Sequence, residues 1–287
     1  MFITIGYTTI GGLRTDIITD FVQFWVIFIT FIVMAIIGIF KIGGLQNLFS
    51  SLPAGHLYVF NFGGISWMIM AVLIGGFTLL GRSADWQRTF SAESPEVARK
   101  AYFLAIPFIL ILAIIVILLG LFAAVLIPGV VPEQATFLLM YKLLPPAFIG
   151  IGLASILAVV MSTIDSLLVA GSTIVYNEMD NGKIRNKLRT IRMITVIFGV
   201  LSVLVAFLFP KIVLLALFVA YAAIIFVPGI IVGFTNNKIS SNAVFYSILI
   251  PIILLIISFP ILKEKSFVAI LVGVVVILFY DKVFRRK

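Results

Sequence analysis

An all-α, polytopic bundle of membrane-spanning helices is the fold this sequence predicts, on three observations. Hydrophobic residues make up 63% of the 287-residue chain and charged residues only 11%, with a mean hydropathy of +1.28. That balance lies far from the roughly half-apolar, quarter-charged composition of a domain whose solvent is water. Apolar runs about 20 residues long, enough to cross a hydrocarbon core about 30 Å thick, follow one another from end to end. The runs lack the two-residue alternation of barrel strands, and in hydrocarbon every backbone polar group needs an internal partner, so helices are the remaining spanning element.

About eight spans are expected, near residues 16–40, 62–81, 101–127, 145–176, 190–209, 212–234, 243–261 and 267–284. Residues before Arg14 read as the tail of a further helix. Gly, Pro, Asn and Lys cluster at 41–61, 177–187 and 236–242, which read as turns. Pro228-Gly229 inside the sixth run predicts a kink there. With no soluble domain, linker or low-complexity tail, residues 1–287 read as a single transmembrane domain. Met1 opens into apolar residues without a basic leader or a small-residue cleavage site.

The net charge of +9 is explained by topology. Threading the spans alternately places Arg14, Arg82, Arg88, Arg99, Lys100, the basic run from Lys183 to Arg192, Lys238, Lys282 and Arg285-Arg286-Lys287 on one side. Only Lys41, Lys142, Lys211, Lys263 and Lys265 fall on the other. An excess of Lys and Arg marks the cytoplasmic face, so the first group and the C-terminus are expected inside, in a multi-pass protein of the cytoplasmic membrane. The C-terminal basic triplet then meets anionic headgroups, and no nucleic-acid partner is needed to account for the charge. The absence of cysteine excludes disulfides and thiolate chemistry.

Ionisable residues inside a membrane span are expensive, and therefore functional candidates. Asp165 is the clearest, about midway along 145–176 within Val160-Met161-Ser162-Thr163-Ile164-Asp165-Ser166. Ser162, Thr163 and Ser166 recur at helical spacing and Asp165 borders their face, which offers hydroxyl oxygens and one carboxylate to a neighbour. Oxygen-only ligation suits a hard cation, and no His or Cys cluster is present for a transition metal. The competing reading is helix-packing glue, with Asp165 paired to a buried basic side chain.

Asp16 and Asp20 lie four residues apart at the start of the first full span. The helix dipole accounts for Asp16; Asp20, one turn deeper, also suits an ion passing the inner mouth. Gly75-Gly76 interrupts a short apolar run, either for close helix packing or as a break that presents backbone to a ligand. Arg82, Asp85 and Arg88 after it read as interfacial salt bridging. His56, the single histidine, sits in a Gly- and Ser-containing loop and takes no catalytic role. Without a nucleophile–base pair or metal cluster beside Asp165, an enzyme is not expected.

Together these segments resemble the sodium:solute symporter family. Residues 11–23 are similar to its Gly-Gly-Leu-(basic)-x-x-x-x-Thr-Asp-x-x-Gln start of the fifth core helix. Ala84-Asp85-Trp86-Gln87-Arg88-Thr89-Phe90-Ser91-Ala92 followed by Val97-Ala98-Arg99-Lys100 resembles the loop that leaves the sixth. Residues 152–179, above all Met161-Ser162-Thr163-x-Asp165-Ser166, resemble the eighth-helix signature.

The resemblance implies a partial five-plus-five inverted-repeat fold: the fifth core helix, the second repeat and further C-terminal helices, without the first four core helices. It implies sodium as coupling ion, no other cofactor, and a small organic solute as substrate. Ser162 and Thr163 match side-chain ligands of the principal sodium, with the Val159 carbonyl nearby at a position more often Ala. Asp20, Asp165 and Ser166 match positions that some members use for a second sodium. Ser is commoner at the place of Asp165, and that departure leaves open stronger ion binding, a proton in place of an ion, or a salt bridge. Gly75, Gly76, Phe77 and Leu80 fall near positions lining the solute cavity. The expected function is sodium-coupled symport by alternating access. The alternative is a non-transporting remnant or subunit, with a partner chain supplying the first helices.

Overall fold

The computed structural model describes residues 2–58, 60, 64–180, 182, 184–208, 212–235 and 239–284. The expected inside charges Lys183, Lys238 and Arg285-Arg286-Lys287, and the outside charge Lys211, lie outside the described residues. In order the helices are α1 (Phe2–Ile42), α2 (Leu45–Ser51), α3 (Gly64–Gly81), α4 (Ser83–Phe90), α5 (Pro95–Leu126), α6 (Pro132–Leu143), α7 (Pro146–Met179), α8 (Lys187–Leu208), α9 (Ile212–Ile225), α10 (Val227–Thr235), α11 (Ser241–Leu262) and α12 (Val268–Phe284). A single 3-10 turn, Lys263–Phe267, joins the last two. Among the described residues there is no strand, and six spans are long and apolar enough to cross a membrane.

Local chemistry starts and stops these helices as the sequence dictates. Ser94 caps α5 by accepting from the Val97 N–H at 3.2 Å, with Pro95 at the first helical position, where its missing donor costs nothing. Ser240 caps α11 in the same way through the Ala243 N–H. The run expected at 212–234 is divided into α9 and α10 at Phe226. Pro228 has no N–H to continue the ladder, so the interruption falls just before it. Within 41–61, read as a turn, lies the short helix α2, and a second short helix, α6, lies between the third and fourth expected spans. Both are shorter than the length a span requires.

The chain forms two compact units, Met1–His56 with Thr89–Leu208, and Leu57–Arg88 with Phe209–Lys287. In the first, Met34, Ala35, Leu48, Ile115, Leu119, Phe122, Leu139 and Met140 make the core where α1, α2, α5 and α6 meet. In the second, Tyr221, Ile224, Ile225, Leu255 and Ile270 are buried together, with Leu80 packed against them. Here the glycine that matters is Gly81: a Cβ built on it would stand 1.9 Å from the Ala223 carbonyl oxygen, so α3 and α9 touch backbone to backbone.

Gly75 and Gly76 correct an expectation. Helix α3 runs through both, neither has positive φ, and a Cβ on either meets nothing within 4 Å. The pair neither breaks the helix nor permits a close approach within its unit. Glycine allows an irregular backbone without requiring one, and an intact hydrogen-bond ladder is favoured in hydrocarbon.

The break lies in α1. Gly12 has φ 57° and ψ −149°, a region essentially closed to residues with a Cβ. Tyr7 and Thr19 lie twelve residues apart, about 18 Å along a straight helix. Yet their hydroxyls stand 2.6 and 3.5 Å from one Asp165 oxygen. The N-terminal arm, residues 2–11, is therefore folded back on the long arm, residues 13–42, as a separate helical segment. Arg192 of α8 donates from Nη2 to the Ile10 carbonyl at 3.0 Å, serving an acceptor next to the interrupted ladder.

Candidate functional site

The fold-back at Gly12 brings both arms of α1 against the polar stretch of α7. Tyr7 and the buried Thr4 and Thr8 come from the N-terminal arm, while Asp16, Thr19, Asp20 and Gln23 come from the long arm. Asp165 and Ser166 come from α7, at 0% and 4% exposure.

One carboxylate oxygen each from Asp16, Asp20 and Asp165 lies within 4.8 Å of the others. This overturns the dipole as the full account of Asp16. It follows the Gly12 turn closely enough to feel the dipole, but it is 1% exposed and directed into the carboxylate group. It also corrects the expectation that Asp165 stands without a cluster capable of holding a metal.

The Asp165 and Asp16 carboxylates are held by identifiable contacts. Asp165 Oδ1 accepts the Ser166 N–H at 2.8 Å, and Oδ2 accepts the Tyr7 hydroxyl at 2.6 Å. The Ser166 hydroxyl lies 3.0 Å from Asp16 Oδ1 and 2.8 Å from the Ser162 carbonyl. Its single proton is within reach of both acceptors, and its oxygen lone pairs place a further hard donor atom beside Asp16. Gln23 Oε1 is buried with no hydrogen-bond partner among the described residues. Among the described residues Asp165 has no Lys or Arg partner.

Three anionic groups in a buried, hydroxyl-lined space repel one another and invite a hard cation. Sodium, the ion expected at Asp20, Asp165 and Ser166, takes oxygen donors of this type. The residues present fit it, and Asp16 enlarges the expected set.

Ser162, Thr163 and Val159 are placed differently. Thr163 and Val159 lie on an exposed face of α7, Val159 at 43% exposure, and Ser162 is intermediate. The Thr163 hydroxyl donates to the Val159 carbonyl at 3.3 Å, keeping its lone pairs outward. The structure thus divides the candidate ligands into a buried group against α1 and an outward-facing group on α7. Gly75, Gly76 and Phe77 are exposed on α3, whereas Leu80 joins the core of its own unit. Arg82 and Asp85 form the expected ion pair, at 3.3 Å. His56 stays at the surface, its Nδ1 3.1 Å from the Pro53 carbonyl.

Sequence reasoning missed Tyr7, Thr19 and Gln23. The available signal was the run of polar residues in the arm before Gly12, namely Thr4, Tyr7, Thr8 and Thr9. Such residues in an apolar helix need partners in hydrocarbon.

Outside the spans, Asp180 closes the end of α7. Its carboxylate accepts the Tyr176 hydroxyl at 2.6 Å and the Gly182 N–H at 3.0 Å, and these bonds hold it below the usual carboxylate range.

These features define a polytopic helical membrane protein in which three carboxylates and a hydroxyl converge between α1 and α7. A model of the sodium:solute symporter family matches residues 1–251, and the chain belongs to that family. It is 27% identical over 191 residues to a sodium/pantothenate symporter of Haemophilus influenzae, covering 62% of this chain and 38% of that protein. It is 28% identical over 211 residues to a sodium/proline symporter of Staphylococcus aureus, covering 71% of this chain and 41% of that protein. The matches span about two-fifths of the length of these relatives.

Proposed function

We propose that this chain carries the coupling-ion half of a sodium-coupled symporter for a small organic solute. The observation that supports it is the convergence of Asp16, Asp20 and Asp165 oxygens within 4.8 Å beside the Ser166 hydroxyl. Buried negative charge of that density is relieved when a cation enters, so ion binding would tie the two arms of α1 to α7. Ser162, Thr163 and the Val159 carbonyl form the α7 side of a principal sodium site. Asp20, Asp165, Ser166 and Asp16 form a second. The solute would meet the exposed face of α3 at Gly75, Gly76 and Phe77, in an alternating-access cycle driven by the sodium gradient. The protein would lie in the cytoplasmic membrane with the Gly12 turn and the C-terminus inside. The contact of the Lys41 ammonium with the Lys142 carbonyl supports the threading that puts both residues on one side, and the excess of Lys and Arg on the other side is the ground for the orientation.

The test is ion binding after Ser162→Ala and Thr163→Ala together. Each loses a neutral oxygen ligand worth about 1 kcal/mol, so the half-saturating sodium concentration should rise by roughly one to two decades. Well-folded double-variant protein with unchanged sodium dependence would remove the principal site.

A further inference from the structure

Tyr7 is the contact of the carboxylate group that the two-site reading leaves without a role. We propose that Tyr7 is a positioning residue of the second cation site, holding the Asp165 carboxylate toward Asp16 and Asp20. The inference rests on the reading of that group as a sodium site.

The three oxygens within 4.8 Å repel one another while no cation lies between them. Asp165 has staggered rotamers that would turn its carboxylate aside, so something must oppose rotation. Its Oδ1 is fixed to its own helix by the Ser166 N–H at 2.8 Å, but a single attachment leaves the carboxylate plane free to pivot. The Tyr7 O–H supplies the second attachment, at 2.6 Å to Oδ2, from the other side of the Gly12 turn. The short O–H to carboxylate contact belongs to the stronger class of hydrogen bonds.

Thr19 does not replace it. Its hydroxyl is 3.5 Å from Oδ2, and its single proton has a better acceptor in the Thr15 carbonyl at 2.8 Å. A phenol is neutral, so it fixes the carboxylate without cancelling the charge that attracts a cation. Two donors occupy about half of the carboxylate's lone-pair sites and leave the remainder for an ion. The same bond makes the Gly12 fold-back part of the site, because the arm carrying Tyr7 reaches Asp165 only through that turn.

The test is sodium titration of the purified full chain in nanodiscs, read as a thermal-stability shift, with N-methylglucamine replacing sodium at constant ionic strength. Tyr7→Phe should raise the half-saturating sodium concentration about threefold to tenfold. In an Asp165→Ala background Tyr7→Phe should add no further shift, because its effect passes through that carboxylate. Tyr7→Gln, which keeps a donor, should recover part of the loss, and Tyr7→Leu serves in place of Tyr7→Phe if the latter does not fold. An unchanged midpoint in Tyr7→Phe, or an equal further shift in the Asp165→Ala background, overturns the proposal while Asp165→Ala alone still shifts the midpoint. An unchanged midpoint in Asp165→Ala itself removes the second sodium site, and the role of Tyr7 with it.

Discussion

Asp16→Asn separates a cation ligand from a helix-dipole residue by the sign of its effect. The substitution nearly preserves volume and removes one of three charges whose oxygens lie within 4.8 Å. At that separation a like-charge pair costs ~3.5 kcal/mol for an effective dielectric of 20, before relaxation reduces it. Asp16 is 1% exposed, so screening by water reduces it little. Deleting the charge should therefore stabilise the sodium-free protein by roughly 1–3 kcal/mol after relaxation. In sodium the sign reverses, because the cation loses one of its anionic ligands and the stabilisation it confers shrinks. Thermal unfolding of wild type and Asp16→Asn in nanodiscs, each with sodium or N-methylglucamine, gives a crossing pair of responses. A variant that is less stable without sodium and keeps the full sodium increment would refute the reasoning and return Asp16 to a structural role at the turn.

Two glycine substitutions test the architecture that builds the site. Gly12→Ala forces a Cβ into a φ 57°, ψ −149° conformation, at a cost of roughly 1–3 kcal/mol, and should weaken sodium stabilisation by withdrawing the arm that carries Tyr7; wild-type sodium response at normal expression would oppose it. Gly81→Leu should prevent accumulation of folded protein, because its first side-chain atom already stands 1.9 Å from the Ala223 carbonyl oxygen, whereas Gly76→Leu should fold normally and impair only solute binding. Size-exclusion profiles of the two variants distinguish them, and equal behaviour would contradict the α3–α9 contact.

Which parts of the molecule were legible in its sequence follows from what each signal measures. Hydropathy reports burial in hydrocarbon, so the spans of α5, α7, α8 and α11 were readable to within a few residues. Capping chemistry is not a hydropathy signal, so the starts of α5 at Ser94-Pro95 and of α11 at Ser240 lie ahead of the apolar runs expected from 101 and 243. Glycine is ambiguous, since it permits an irregular backbone and close packing without demanding either. Gly75-Gly76 looked like the break, yet the non-helical conformation inside a helix belongs to Gly12 and the 1.9 Å approach to a backbone oxygen to Gly81. Only the fold decides among them, because what a Cβ would meet depends on a residue such as Ala223, remote in sequence.

The site divides along the same line. Asp165 was conspicuous because a carboxylate inside a span costs too much to be incidental. Asp16 was not, because a first-turn carboxylate already has a local electrostatic explanation. The dipole acts along the helix axis, whereas ligation depends on azimuth, on which face of α1 meets α7. Nothing in the regular helix of residues 13–23 fixes that azimuth. The Gly12 turn does, by laying the N-terminal arm beside the long one and forcing Tyr7, Asp16 and Asp165 into the same space. A conformation available to glycine thus sets the composition of a site whose ligands lie up to 150 residues apart.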